Sequence, residues 1–201
     1  MSTSTKIWLG LGFFLLLNFG GMAFLLLFRT AQAPRMEEEL LELYPVPAFN
    51  LTDQREETFG LEDLDGKLWV AKFFFTSCSG PCPIMTANMA DIQTQFANEE
   101  IVHFVSITVD PATDTPERLA EYASVYDADP ERWHFLTGDL EVISELALEG
   151  FKLGAPDSPV HHADRFILVD GNGMIRGYYA GTEEEGLRRL TAALETLLEE
   201  A

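Results

Sequence analysis

Residues 68–85 read LWVAKFFFTSCSGPCPIM, and the fold turns on them. Leu68 to Phe75 is a mostly apolar run rich in aromatic residues, the signature of a strand buried on both faces in the middle of a sheet. It runs into a short loop that holds Cys78, Gly80, Pro81 and Cys82. From Pro83 to Phe96 the apolar spacing becomes helical, and proline is acceptable in a first helical turn. A buried strand, a cysteine loop and a helix in that order point to an α/β fold with a reactive or metal-holding loop at a strand end.

The rest of the chain extends this pattern. Upstream, Phe49 to Leu61 reads as a strand or hairpin, followed by an Asp65-Gly66 turn. Downstream, Ile101 to Val109 is a β-branched strand. Asp114-Thr115-Pro116-Glu117 opens a helix that runs to about Tyr126. His134 to Leu136 is a short strand, and Asp139 to Phe151 a helix. Arg165 to Val169 and Met174 to Tyr179 are strands joined by Asp170-Gly171-Asn172-Gly173, a hairpin signal. Glu183 to Glu200 is an amphipathic helix. Alternation of this kind implies a mixed central sheet with parallel members, flanked by helices, in the thioredoxin-like order.

The first 28 residues are of a different kind. Ile7 to Phe28 is almost wholly apolar and long enough to cross a bilayer as a helix. A secretory signal would have a shorter apolar core, and Pro34 directly after Ala31-Gln32-Ala33 is a poor context for cleavage. The expected organisation is therefore a membrane anchor over residues 1–28, a linker over 29–45 with an acidic run at Glu37-Glu38-Glu39, and a globular domain over 46–201.

The chain carries a formal net charge of −20. Its first 35 residues contain Lys6, Arg29 and Arg35 and no acid, so the remainder holds ten basic and 33 acidic side chains, a net −23. Such a surface repels phosphate backbones, which argues against nucleic-acid binding.

Two cysteines are present, so a disulfide-rich scaffold is excluded, and a close pair points to redox or metal chemistry. Dithiol oxidoreductases of the thioredoxin type use C-x-x-C. Here three residues separate the thiols, which widens the loop and lets both sulfurs face one metal. Thiolates are soft ligands suited to Cu(I). Zinc would call for four ligands, and there is no third cysteine. A disulfide remains open to the pair if the loop brings the Cα atoms within about 7 Å. Imidazole could complete a copper site. His103 reads as a packed strand residue, and His134, at a strand start, as structural or solvent-facing. His161 and His162 precede a strand whose entry loop faces the cysteine loop in a thioredoxin-like fold, a place that holds Asp164 here instead of the usual cis-proline. Both are candidates.

Several blocks together resemble the SCO/SenC family of copper chaperones. They are VPAFNLTDQ (46–54), GKLWVAKFFFTSCSGPCPIM (66–85), VSITVDPATDTPERLAEYA (105–123), WHFLTGD (133–139) and VHHADRFILVDGNG (160–173). The resemblance implies a copper site made of Cys78, Cys82 and His162, with Asp110 as a supporting carboxylate. It implies delivery of copper to the CuA subunit of cytochrome c oxidase, exchange with another copper chaperone, thiol–disulfide activity of the Cys78–Cys82 pair, and a single membrane anchor with the domain on the periplasmic or intermembrane-space side. The competing readings are a thiol–disulfide oxidoreductase acting on a copper protein and a tethered redox sensor. A peroxidase is disfavoured because the sequence places no arginine near the cysteine loop.

Overall fold

The computed structural model describes residues 40–153 and 164–201. The expected membrane span, His161 and His162 lie outside the described residues. No helix among the described residues is long and apolar enough to cross a membrane.

The described chain runs β1 (Asn50–Asp53), β2 (Thr58–Gly60), β3 (Leu68–Phe74), α1 (Pro81–Gln95), β4 (Val102–Thr108), α2 (Pro116–Val125), β5 (Trp133–Thr137), α3 (Leu140–Glu145), β6 (Arg165–Val169), β7 (Ile175–Ala180) and α4 (Glu184–Glu200). The seven described strands form one sheet in the order β2-β1-β5-β4-β3-β6-β7. β3 pairs in parallel with β4, and β4 with β5, so α1 and α2 are the crossovers that parallel neighbours require. β6 runs antiparallel to β3, and β7 to β6. The sheet is mixed, as the hairpin signal implies. Gly173 closes that hairpin at φ 74°, where a side chain would be strained.

Every residue of β3 is buried, which accounts for its lack of polar alternation. Its side chains divide two cores. Leu68, Val70 and Phe74 join Met85, Met89 and Ile92 of α1, Leu119 of α2 and Leu190 and Leu194 of α4. Trp69, Ala71 and Phe73 face the other way, against Ile143 of α3, Leu146 and Phe151.

Two helices differ from expectation. α1 begins at Pro81, not Pro83, with Gly80 as its N-cap. Neither proline disturbs it, because first-turn N–H groups have no intrahelical acceptor. Cys82 therefore belongs to the helix and not to the loop. The helix expected over Asp139–Phe151 is α only to Glu145 and continues as a π-helical turn, Leu146–Gly150. That turn sets Gly150 against Pro47, whose ring carbons would lie 3.0 Å from an added Cβ. The compact unit runs from Leu40 to Ala201. Leu43 N–H donates to Ile175 O at 2.9 Å, Ile175 N–H to Tyr44 O at 2.8 Å, and Arg176 Nη2 to Leu40 O at 2.8 Å, which fastens residues 40–46 along β7.

Candidate metal centre

The cysteine loop leaves the carboxyl end of β3, the edge at which open α/β sheets bind ligands. Cys78 is half-buried and Cys82 is 7 % exposed. The Cys78 sulfur accepts the Gly80 N–H at 3.4 Å, and Cys82 is near enough to lower its pKa. The chain thus folds back so that both sulfurs share one locus at the start of α1, where exposed helix N–H groups favour negative charge.

The two thiols are electrostatically unequal. Burial opposes ionisation of Cys78, but hydrogen bonds from Cys82 and Gly80 outweigh it and hold its pKa below the ordinary thiol value. Burial pushes Cys82 up to about 11, and the hydrogen bond it gives Cys78 adds to the rise. Cys78 is the exposed, more acidic sulfur, and Cys82 the buried reserve.

A buried carboxylate fixes the approach to the loop. Asp114 is fully buried and accepts Thr76 N–H at 3.0 Å, Thr76 Oγ1–H at 2.5 Å and Thr108 Oγ1–H at 2.5 Å. Thr76 in turn accepts Arg118 Nε–H at 2.6 Å. Asp110, the expected supporting carboxylate, works through its backbone: its N–H donates to Thr108 Oγ1, and its carbonyl accepts from Thr113 and Asp114. The buried carboxylate that holds Thr76, two residues before Cys78, is Asp114. The expectation that no arginine lies near the loop also fails, since Arg118 bonds Thr76 two residues before Cys78. Helix α2 brings the two together although they are 42 residues apart in sequence.

On the other side of the loop, Thr86 Oγ1 donates to Cys82 O at 2.7 Å and receives a hydrogen bond from Lys72 Nζ. Lys72 was hidden in the sequence as one charge in an apolar run. The available signal was its parity: alternation along β3 puts it on the α1 face with Val70 and Phe74.

His103 is a buried strand residue on the opposite face, as read from the sequence, and His134 beside it is buried rather than solvent-facing. β6 begins at the end of the sheet where β3 stops, so Arg165 stands at the cysteine-loop end. Asp164 there accepts Gly181 N–H at 2.8 Å through its carbonyl. Among the described residues no group of three His, Cys, Asp or Glu side chains could hold a metal ion. The donors present are the two sulfurs.

The family model described as SCO1/SenC matches residues 41–199. The chain belongs to the SCO1/SenC family. It is 38 % identical over 146 residues to the SCO1 protein homolog of Bacillus subtilis, covering 70 % of this chain and 76 % of that one. It is 33 % identical over 157 residues to a putative copper-binding protein of Stutzerimonas stutzeri, covering 72 % and 74 %. A solved structure of BsSco, described as a member of the Sco family of cytochrome c oxidase assembly proteins in which a disulfide switch was identified, superposes with a TM-score of 0.69 at 34 % identity over 80 % of this chain and 96 % of that one. The SCO1/SenC match runs over residues 41–199, so the cysteine loop, Asp114 and the β6–β7 hairpin all lie within it.

Proposed function

We propose that this SCO1/SenC protein carries copper as cargo, holding Cu(I) on Cys78, Cys82 and His162 and passing it to the CuA subunit of cytochrome c oxidase. The observation that carries this reading is the shared locus of the two sulfurs at a helix start. Two thiols four residues apart, one at the end of the loop and one in the first turn of α1, can close on one soft cation. The kinship with a copper-binding protein and with oxidase assembly proteins supports the same cargo and the same acceptor. A second copper chaperone is the proposed donor. Ile7–Phe28 is the proposed anchor, with the domain on the periplasmic or intermembrane-space side.

The unequal thiols favour a second activity of the same pair. Cys78, exposed and acidic, attacks a partner disulfide. Cys82 then attacks the mixed disulfide and releases the partner as a dithiol. Two thiols become one disulfide here, and one disulfide becomes two thiols there, so electrons and protons balance.

The test is a titration of the reduced full chain in detergent with Cu(I) against a competing chelator. One tight equivalent is expected in the wild type and none in Cys78→Ser or Cys82→Ser. His162→Ala should lose about tenfold or more in affinity, judged by the 10–100-fold typical of changes around a metal, while still forming the disulfide. His161→Ala should lose less. An unaffected Cys78→Ser sinks the copper reading, and damage confined to His161→Ala moves the third ligand by one residue.

A further inference from the structure

Residues 73–90 contain no aspartate, glutamate, lysine or arginine, the longest such gap between residues 36 and 201. Part of the gap is buried, in β3 and on the inner side of α1, where charge is not expected. The rest lies at the surface. Ser77, Ser79, Gly80, Ile84 and Ala87 are exposed, Ile84 to 53 %. On a domain with a net charge of −23 they make a neutral island.

The island surrounds Cys78. Ser77 and Ser79 flank it in the chain, and its sulfur lies 3.9 Å from the point where a Cβ on Gly80 would stand. Ile84 follows Gly80 by one helical turn. Helix side chains lean toward the N-terminus, so Ile84 leans toward the end of α1 that carries Cys78. Core packing does not account for it: α1 turns Met85, Met89 and Ile92 into the core and Ile84 away from it. A single exposed apolar side chain is ordinary. This one stands beside the more exposed of the two sulfurs. A carried ion passes between proteins while ligands of both reach it, so a receiving protein must cover Cys78 and the residues around it. A charge pressed onto such a surface would lose water and gain no partner. Interface centres are accordingly poor in charge and anchored by a few large side chains.

We propose that the neutral surface around Cys78 is the face on which the copper acceptor docks, with Ile84 as its apolar anchor. The proposal rests on the copper reading and on the CuA subunit as acceptor. The partner that fits presents its copper ligands on an uncharged surface with an apolar recess beside them. The island is small, which suits a short-lived complex that must part after transfer. Ile84 touches the partner and not the metal.

The test uses three variants. Ile84→Gln keeps a good helix former and adds no charge near the sulfurs. Ile84→Leu keeps an apolar side chain. Leu140→Gln removes an exposed leucine from α3, on the other face of the sheet. Each reduced full-length protein is loaded with Cu(I) in detergent. It is then mixed with the reduced, metal-free CuA subunit at rising concentration, or with a small Cu(I) chelator that needs no docking face, and the rate of copper loss is measured. At low acceptor concentration Ile84→Gln should hand over copper about tenfold more slowly than the wild type, and the deficit should shrink as the acceptor saturates. Its Cu(I) affinity and its rate of loss to the chelator should stay within about twofold of wild type. Ile84→Leu and Leu140→Gln should transfer as the wild type does. Wild-type transfer by Ile84→Gln overturns the proposal, as does equal slowing in Leu140→Gln, or equal slowing toward the chelator. An Ile84→Gln that fails to fold shows a packing role and overturns it too. All of these leave the copper reading standing. A wild type that binds no Cu(I), or binds it and gives none to the CuA subunit, overturns that reading and the docking face with it.

Discussion

Lys72 and the pair His103–His134 are buried basic groups on opposite faces of one sheet, and the two faces treat them differently. On the α1 face the polar atoms form connected sets: Lys72, Thr86, Tyr122 and the Cys82 carbonyl, and beside them Trp133 Nε1, which donates to Ser106 Oγ at 3.0 Å. On the α3 face, among the described residues, the Nδ1 atoms of His103 and His134 and Nε1 of Trp69 have no hydrogen-bond partner. The two imidazoles lie nearly parallel, 6.2 Å apart, and Phe59 stacks on His134 at 4.1 Å. Asp53 Oδ2 stands 3.8 Å from His134 Nδ1, beyond hydrogen-bond length. Imidazole is accommodated in a core as a neutral aromatic plate. A lysine in a core can also turn neutral, and burial brings Lys72 down to about 7, but its amine still seeks a polar partner and finds Thr86. Polarity on the first face surrounds the sulfurs, whereas polarity on the second is packing.

The largest effect expected from this division falls on Asp114, at the cysteine-loop end of the first face. Asp114→Ala leaves the Thr76 and Thr108 donors without their acceptor, and should cost about 3 kcal/mol or more in urea unfolding. It should also weaken Cu(I) binding, because Thr76 no longer holds the entry to the loop. Wild-type copper affinity in a destabilised Asp114→Ala would show that the loop is positioned without it.

The next effect belongs to the second face and appears on acidification. His103 is brought down to about 4, by burial first and then by the nearby charges of Lys67, His134 and Arg132. His134 is also lowered, by burial first and then by Arg55. A histidine whose pKa is lower folded than unfolded leaves the unfolded chain binding more protons. Stability is therefore intact above about pH 6.5 and falls as the pH drops toward 4, by about 2 to 3 kcal/mol for His103. Urea midpoints at pH 7 and pH 4.5 measure the loss, and His103→Phe should flatten it without changing Cu(I) affinity at pH 7. A copper defect in that variant would erase the distinction between the faces.

The smallest effect lies at the surface of the second face. Asp139 caps α3, accepting Glu141 N–H at 2.8 Å and Val142 N–H at 3.3 Å. Asp139→Ala should cost about 1 kcal/mol in thermal or urea unfolding, with copper binding unchanged.

The amino-acid sequence by itself determined what depends on neighbours in the chain. LWVAKFFF could only be a doubly buried strand, Asp170-Gly171-Asn172-Gly173 could only turn, and the alternation of strands and helices carried the sheet with its parallel core, because periodicity and turn chemistry are local. The two sulfurs were legible for the same reason, since three residues and a glycine-proline turn keep them close. Tertiary structure alone decided what lies around them. Arg118 reaches Thr76 across 42 positions, Asp114 reaches it across 38, and Lys72 finds Thr86 across 14. It also drew Cys82 into the first turn of α1 and made the two thiols unequal. Those outcomes follow from which helix a strand's parity faces and from how much water each sulfur retains, and both quantities exist only once the sheet and its helices have packed.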